Sequence, residues 1–130
     1  MCKAILMMLL VVLGNNVAKA GQHSYSCAVE NAYLVDEDGR IKENARFTGI
    51  MRGDRFTVDR LTGSVAGGRV PAFPMVKSSV LFPGGKGNAF KSYFQGYNFV
   101  SYLEVYEHRD GEEKPFVLHD GASIFSGFCE

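Results

Sequence analysis

Three histidines, His23, His108 and His119, are the side chains of this chain that ordinarily change charge near neutral pH. His119 stands beside Asp120, with Ser123 and Ser126 close behind. A base, an orienting acid and a hydroxyl nucleophile are the residue types of an acyl-transfer triad. No Gly-x-Ser-x-Gly elbow accompanies them, however. In a strand, His119 and Asp120 would point to opposite faces, out of reach of one another. Glu104 and Asp120 offer a pair of carboxylates, a common coincidence in a chain with 14 acidic residues. His119 therefore stands as the weak catalytic candidate of a small hydrolase, the alternative reading of this chain. Neither His-x-His nor His-x-x-x-His occurs, and no metal or cofactor is expected.

Binding is the stronger expectation. The stretch "AFKSYFQGYNFVSYLEVY" carries seven aromatics in 18 residues: Phe90, Tyr93, Phe94, Tyr97, Phe99, Tyr102 and Tyr106. Phenylalanine mostly fills cores. Tyrosine on a strand surface offers a large rigid contact with a polar tip, suited to sugars, peptides and proteins. Two glycine-rich loops, "AGGRVPAFP" and "FPGGKGN", present Arg69 and Lys86. Arg69, Lys86, Tyr97, Tyr102, Tyr106 and His119 form the expected binding set, with a cell-envelope protein or glycan as partner.

The stretch "FTVDRLTGSVAGG", residues 56–68, poses a choice between a phosphate cradle and a hairpin. A P-loop needs Gly-x-x-x-x-Gly-Lys followed by Ser or Thr, opening a helix. Here Arg69, Val70 and Pro71 follow Gly68, so the hydroxyl is missing. Phe56-Thr57-Val58-Asp59-Arg60-Leu61-Thr62-Gly63 resembles a hairpin of cadherin repeats, without their Asp-x-Asn-Asp-Asn calcium sequences. Phe56 and Val58 then share a face, Asp59 and Thr62 bond the turn backbone, and Gly63 takes a positive φ. "VDEDGRI" has the central acids of an EF-hand loop, but Leu34 and Ala45 occupy its end positions. Asp38-Gly39 reads as a hairpin turn instead.

Residues 1–20 read as a cleaved secretory signal: Lys3, the apolar "AILMMLLVVLG", then Ala18-Lys19-Ala20. That run is short for a bilayer span, and no second one follows. No lipidation box precedes Cys27. Cleavage leaves residues 21–130 as one periplasmic or secreted domain, with no transmembrane segment expected in the mature chain. Cys2 departs with the signal, so Cys27 and Cys129 form an even pair, expected as one disulfide. The loop they close would stabilise the fold by about 4–5 kcal/mol in the chain-entropy model. Fourteen basic residues balance fourteen acidic ones, leaving no electrostatic footprint for nucleic acid or anionic lipid. Tyr25-Ser26-Cys27 is similar to the Tyr-x-Cys start of some small periplasmic lysozyme inhibitors, which are short exported β-barrels. Their Ser-x-x-x-Tyr-type inhibitory loop is not matched by "SVAGGRV".

The elements that must carry these residues are short β-rich runs between Gly, Asp, Asn and Pro clusters. They predict an all-β antiparallel sandwich or small barrel of seven or eight strands, with a short helix allowed near residues 87–97. "VSYLEVYE" and "KPFVLHD" fit one register: Leu103 opposite Leu118, and Val105 opposite Phe116. That register exposes Tyr102, Glu104, Tyr106, Val117 and His119 on the other face, and sets Glu107 opposite Lys114. A non-catalytic envelope binding protein is the leading expectation. A structural subunit of an envelope assembly is a third class.

Overall fold

The computed structural model describes residues 23–70, 75–85 and 87–130. The expected signal at 1–20 and the loop residue Lys86 lie outside them. Among the described residues, nine strands and one short helix follow in chain order: β1 (Ser24–Val35), β2 (Ile41–Glu43), α1 (Ala45–Met51), β3 (Arg55–Asp59), β4 (Val65–Ala66), β5 (Lys77–Gly85), β6 (Asn88–Gln95), β7 (Val100–Val105), β8 (Lys114–Asp120) and β9 (Ser123–Cys129). Eight strands form one curled half-barrel in the order β4-β3-β1-β9-β8-β7-β6-β5, with β2 paired onto β1. Every pairing is antiparallel.

Alternation along the strands, shifted once in β1 between Val29 and Asn31, decides which residues face inward. Phe90, Phe94, Leu103, Val105, Phe116, Leu118 and Phe125 are buried together with Val29, Phe56 and Val58 in one core. The expected register of β7 and β8 holds: Leu103 pairs with Leu118, and Val105 with Phe116. Cys27 and Cys129 are cross-strand neighbours in one sheet and form a disulfide. The staple therefore ties the first strand to the last, rather than bridging two sheets.

One expectation needs correction. Residues 88–95 form strand β6, not a helix, because Phe90, Ser92 and Phe94 alternate inward while β6 pairs along its length with β7. A helix appears instead at α1. Asn44 caps it by accepting the Phe47 N–H, and only Thr48 and Met51 are buried along its seven residues. Thr48 anchors it, its hydroxyl donating to the Ala32 carbonyl and accepting from the Ala32 N–H. Phe47 meets Phe125 edge-on at 5.5 Å, so the helix packs against the core.

The hairpin at residues 56–68 closes the curl. Asp59 Oδ1 accepts from the N–H groups of Leu61 and Thr62, each at 2.8 Å. Gly63 is buried at φ 73°, and a Cβ there would stand 3.0 Å from Ser92 Cβ and 3.1 Å from the Ser79 backbone. Ser78 Oγ donates to the Thr62 carbonyl at 3.0 Å. The turn thus seats itself against β5 and β6, and a side chain at position 63 would hold the seam apart. This stretch serves the fold.

Candidate functional site

Two polar constellations stand out, one at the seam and one on the outer face. At the seam, Glu107 accepts from the Tyr25 hydroxyl and from Arg60 Nη2. Arg60 also lies over the Tyr25 ring, 4.8 Å from its centre. Gly84 makes room, since a Cβ there would collide with Glu107 Oε2. Burial, and then the Glu107 carboxylate, push the Tyr25 phenol well above its ordinary pKa. The expected Glu107–Lys114 pair does not form. β7 ends at Val105, Glu107 turns to Arg60, and Lys114 Nζ donates to the Arg109 carbonyl. An open cleft of about 460 Å³ lies over these groups, lined also by Gly85, Glu112 and Glu130. Its buried groups satisfy one another, which makes it a tie across the open side of the half-barrel more than a receptor.

The outer face is built differently. On β6 and β7 the residues between the core positions are Lys91, Tyr93, Tyr102 and Glu104; on β8 they are Val117 and His119. Tyr93 pairs with Tyr102, and Tyr102 with His119. One row over, Lys91 pairs with Glu104, and Glu104 with Val117. Tyr102 donates to Glu104 Oε1 at 2.6 Å, and Lys91 Nζ stands 3.0 Å from the same oxygen. The Tyr102 hydrogen bond, followed by those of Lys91 and Tyr106, holds the Glu104 carboxyl below its usual range against the opposing effect of burial. Burial and then Glu104 push Tyr102 up to about 12, and the same two causes raise Tyr106. Phe82 extends the row, its ring 5.9 Å from Lys91 Nζ. These side chains hold one another in place on a surface that the core does not require.

Of the six expected binding residues, Tyr102, Tyr106 and His119 share this face. Tyr97 is 91% exposed in the β6–β7 turn, at the end of the same hairpin. Arg69 sits elsewhere: its backbone N–H donates to Asp54 Oδ2 at 2.7 Å and its Nη1 to the Ile50 carbonyl at 3.3 Å, tying it to the end of α1. Lys86 lies outside the described residues. His119 and Asp120 point to opposite sides, and Asp120 accepts from the buried Ser101 hydroxyl at 2.6 Å. Glu104 and Asp120 likewise face apart. The acidic turn at residues 36–40 is a hairpin turn, with Asp36 accepting from the Arg40 N–H and paired to Lys42.

Sequence reasoning noted Tyr93 among the aromatics but left it out of the binding set, and missed Lys91 on the outer face and Tyr25 and Arg60 at the seam. Alternation along "FKSYF" marks Lys91 and Tyr93 as outward once Phe90 and Phe94 are known to be core. The seam contacts join residues 82 and 47 positions apart, and local pattern carries no trace of them. Among the described residues no cluster of three or more His, Cys, Asp or Glu side chains could hold a metal, and no helix is long and apolar enough to cross a membrane. No protein-family model, curated protein or solved structure matches the chain.

Proposed function

We propose that this chain is an exported, non-catalytic binding protein of the cell envelope, and that it binds through the outer face of β6, β7 and β8. The observation that carries the reading is the Tyr93–Tyr102–His119 row with its Lys91–Glu104–Tyr106 support. The half-barrel fills its core with other residues, so the core does not account for this partly exposed aromatic surface. A tyrosine whose hydroxyl is held, as that of Tyr102 is by Glu104, loses little entropy on binding. Export is supported by the basic, apolar and small-x-small order of residues 1–20 and by a disulfide suited to an oxidising compartment. Hydrolysis is disfavoured by the opposed directions of His119 and Asp120 and by the engagement of Asp120 with Ser101.

The test is capture from envelope extract by immobilised wild type and by a Tyr93→Ala, Tyr102→Ala, His119→Ala variant whose unfolding midpoint matches it. The expected result is a saturable ligand, protein or glycan, that the wild type retains and the variant loses. Equal capture by both would remove the outer face as the site. Turnover of an ester or glycoside substrate that His119→Ala abolishes would instead support the hydrolase.

A further inference from the structure

Resting on the outer-face reading, we propose that the ligand is an uncharged linear glycan lying across the strands. The register extends the tyrosine row beyond β8. Tyr93 pairs with Tyr102, Tyr102 with His119, His119 with Ile124, and Ile124 with Tyr33. Five side chains, four of them aromatic rings, thus line up over five neighbouring strands. Strands stand about 4.8 Å apart, so the row runs for about 19 Å with one side chain at each step. One strand spacing is close to the width of a pyranose ring, and a linear glycan presents one ring per repeat.

The adjacent row supplies the polar half of the match. Lys91, Glu104, Val117, Ser126 and Asn31 follow one another in register beside the aromatics. A sugar stacks its C–H face on a ring and turns its hydroxyls outward, where this row offers donors and acceptors. Charge narrows the class. The Lys91 ammonium is already bonded to Glu104, so the face offers no uncompensated cation from that pair to an anionic polymer. A peptide adding as a strand is disfavoured, because β7, β8 and β9 are paired on both sides and their backbones are occupied.

The chain has no tryptophan, and three of its six tyrosines, Tyr33, Tyr93 and Tyr102, lie in the row, so tyrosine fluorescence compared between wild type and the row variants reports on it. The experiment titrates the purified protein with cellohexaose, chitohexaose and maltohexaose, their disaccharides, and oligogalacturonate as the anionic control, by fluorescence and calorimetry. At least one neutral hexasaccharide should bind about tenfold or more tighter than its disaccharide. Tyr93→Ala and Tyr102→Ala should each weaken it about 2- to 10-fold, the range set by aromatic contacts, with Tyr102→Phe retaining most of the affinity. No saturation by any neutral hexasaccharide up to millimolar concentration, equal binding of disaccharide, tighter binding of oligogalacturonate, or indifference to both alanine variants would each overturn the proposal. If neutral glycans fail while envelope capture still depends on Tyr93, Tyr102 and His119, the face stands and only the ligand class falls. If capture is also indifferent to them, both fall.

Discussion

Replacing Glu107 should loosen the half-barrel at its seam. The carboxylate joins three parts of the chain: Tyr25 at the start of β1, Arg60 after β3, and Gly84 near the end of β5. Its side chain is 13% exposed and that of Arg60 31%, so the pair is intermediate between a surface and a buried one. Removing one partner of a fully buried pair costs about 3–5 kcal/mol; partial solvation of Arg60 reduces this. Glu107→Gln keeps an acceptor for Tyr25 and loses the charge, for an expected cost of about 1–2 kcal/mol. Glu107→Ala also strands the Tyr25 hydroxyl, in a residue only 5% exposed, for about 2–4 kcal/mol in total. Urea unfolding followed by circular dichroism measures both, with an unchanged m value if the unfolded state is unaffected. Adding Arg60→Gln to Glu107→Ala should cost about 1–2 kcal/mol less than the two separately. A loss under about 0.5 kcal/mol for Glu107→Ala, or strict additivity with Arg60→Gln, would refute the idea that this acid holds the seam.

Gly63→Ala should cost about 2–4 kcal/mol in the same assay, from its left-handed backbone and the approach to Ser79 and Ser92. Thr48→Val preserves shape but removes both bonds to Ala32, and about 1–3 kcal/mol with them, while exchange protection of the α1 amides falls. Substituting Cys27 and Cys129 together with alanine should lower the unfolding free energy by about 2–5 kcal/mol, and reductant should then have no further effect. Tyr25 and Tyr102 hold their protons more tightly in the folded state than in the unfolded one. Stability should therefore be full below the unfolded tyrosine pKa of about 10 and fall as pH rises above it, read as a declining urea midpoint. Tyr102→Phe should flatten part of that decline, and an unaltered slope would contradict the assignment.

Local chemistry was legible where one strand or one turn decides it. "KPFVLHD" and "SIFSGFC" coincide with β8 and β9, because alternation and flanking turns define them without outside help. The Asp59–Gly63 turn was readable because its bonds are two to four residues long. α1 escaped notice because seven residues with two buried side chains show too little periodicity, and its anchor at Ala32 is 16 positions away. β5 runs on through Pro83-Gly84-Gly85, a tripeptide that reads as a turn. Pro83 is tolerated because β5 is an edge strand, and Gly84 sits there to admit Glu107. The candidate site divides in the same way. Tyr102, Tyr106 and His119 were placed on one face by the register of a single hairpin. Tyr33 and Tyr93 join the row only through pairings of β1 with β9 and of β6 with β7.

The most direct measurement is hydroxyl-radical footprinting of the purified protein in buffer and in envelope extract, read residue by residue by mass spectrometry. It reports on the outer face whatever the ligand proves to be. Binding through that face predicts that Tyr93, Tyr102 and His119 lose reactivity in extract, while exposed Leu61 at the β3–β4 turn does not. Protection elsewhere with the tyrosine row unchanged, or no protection at all, would contradict the account.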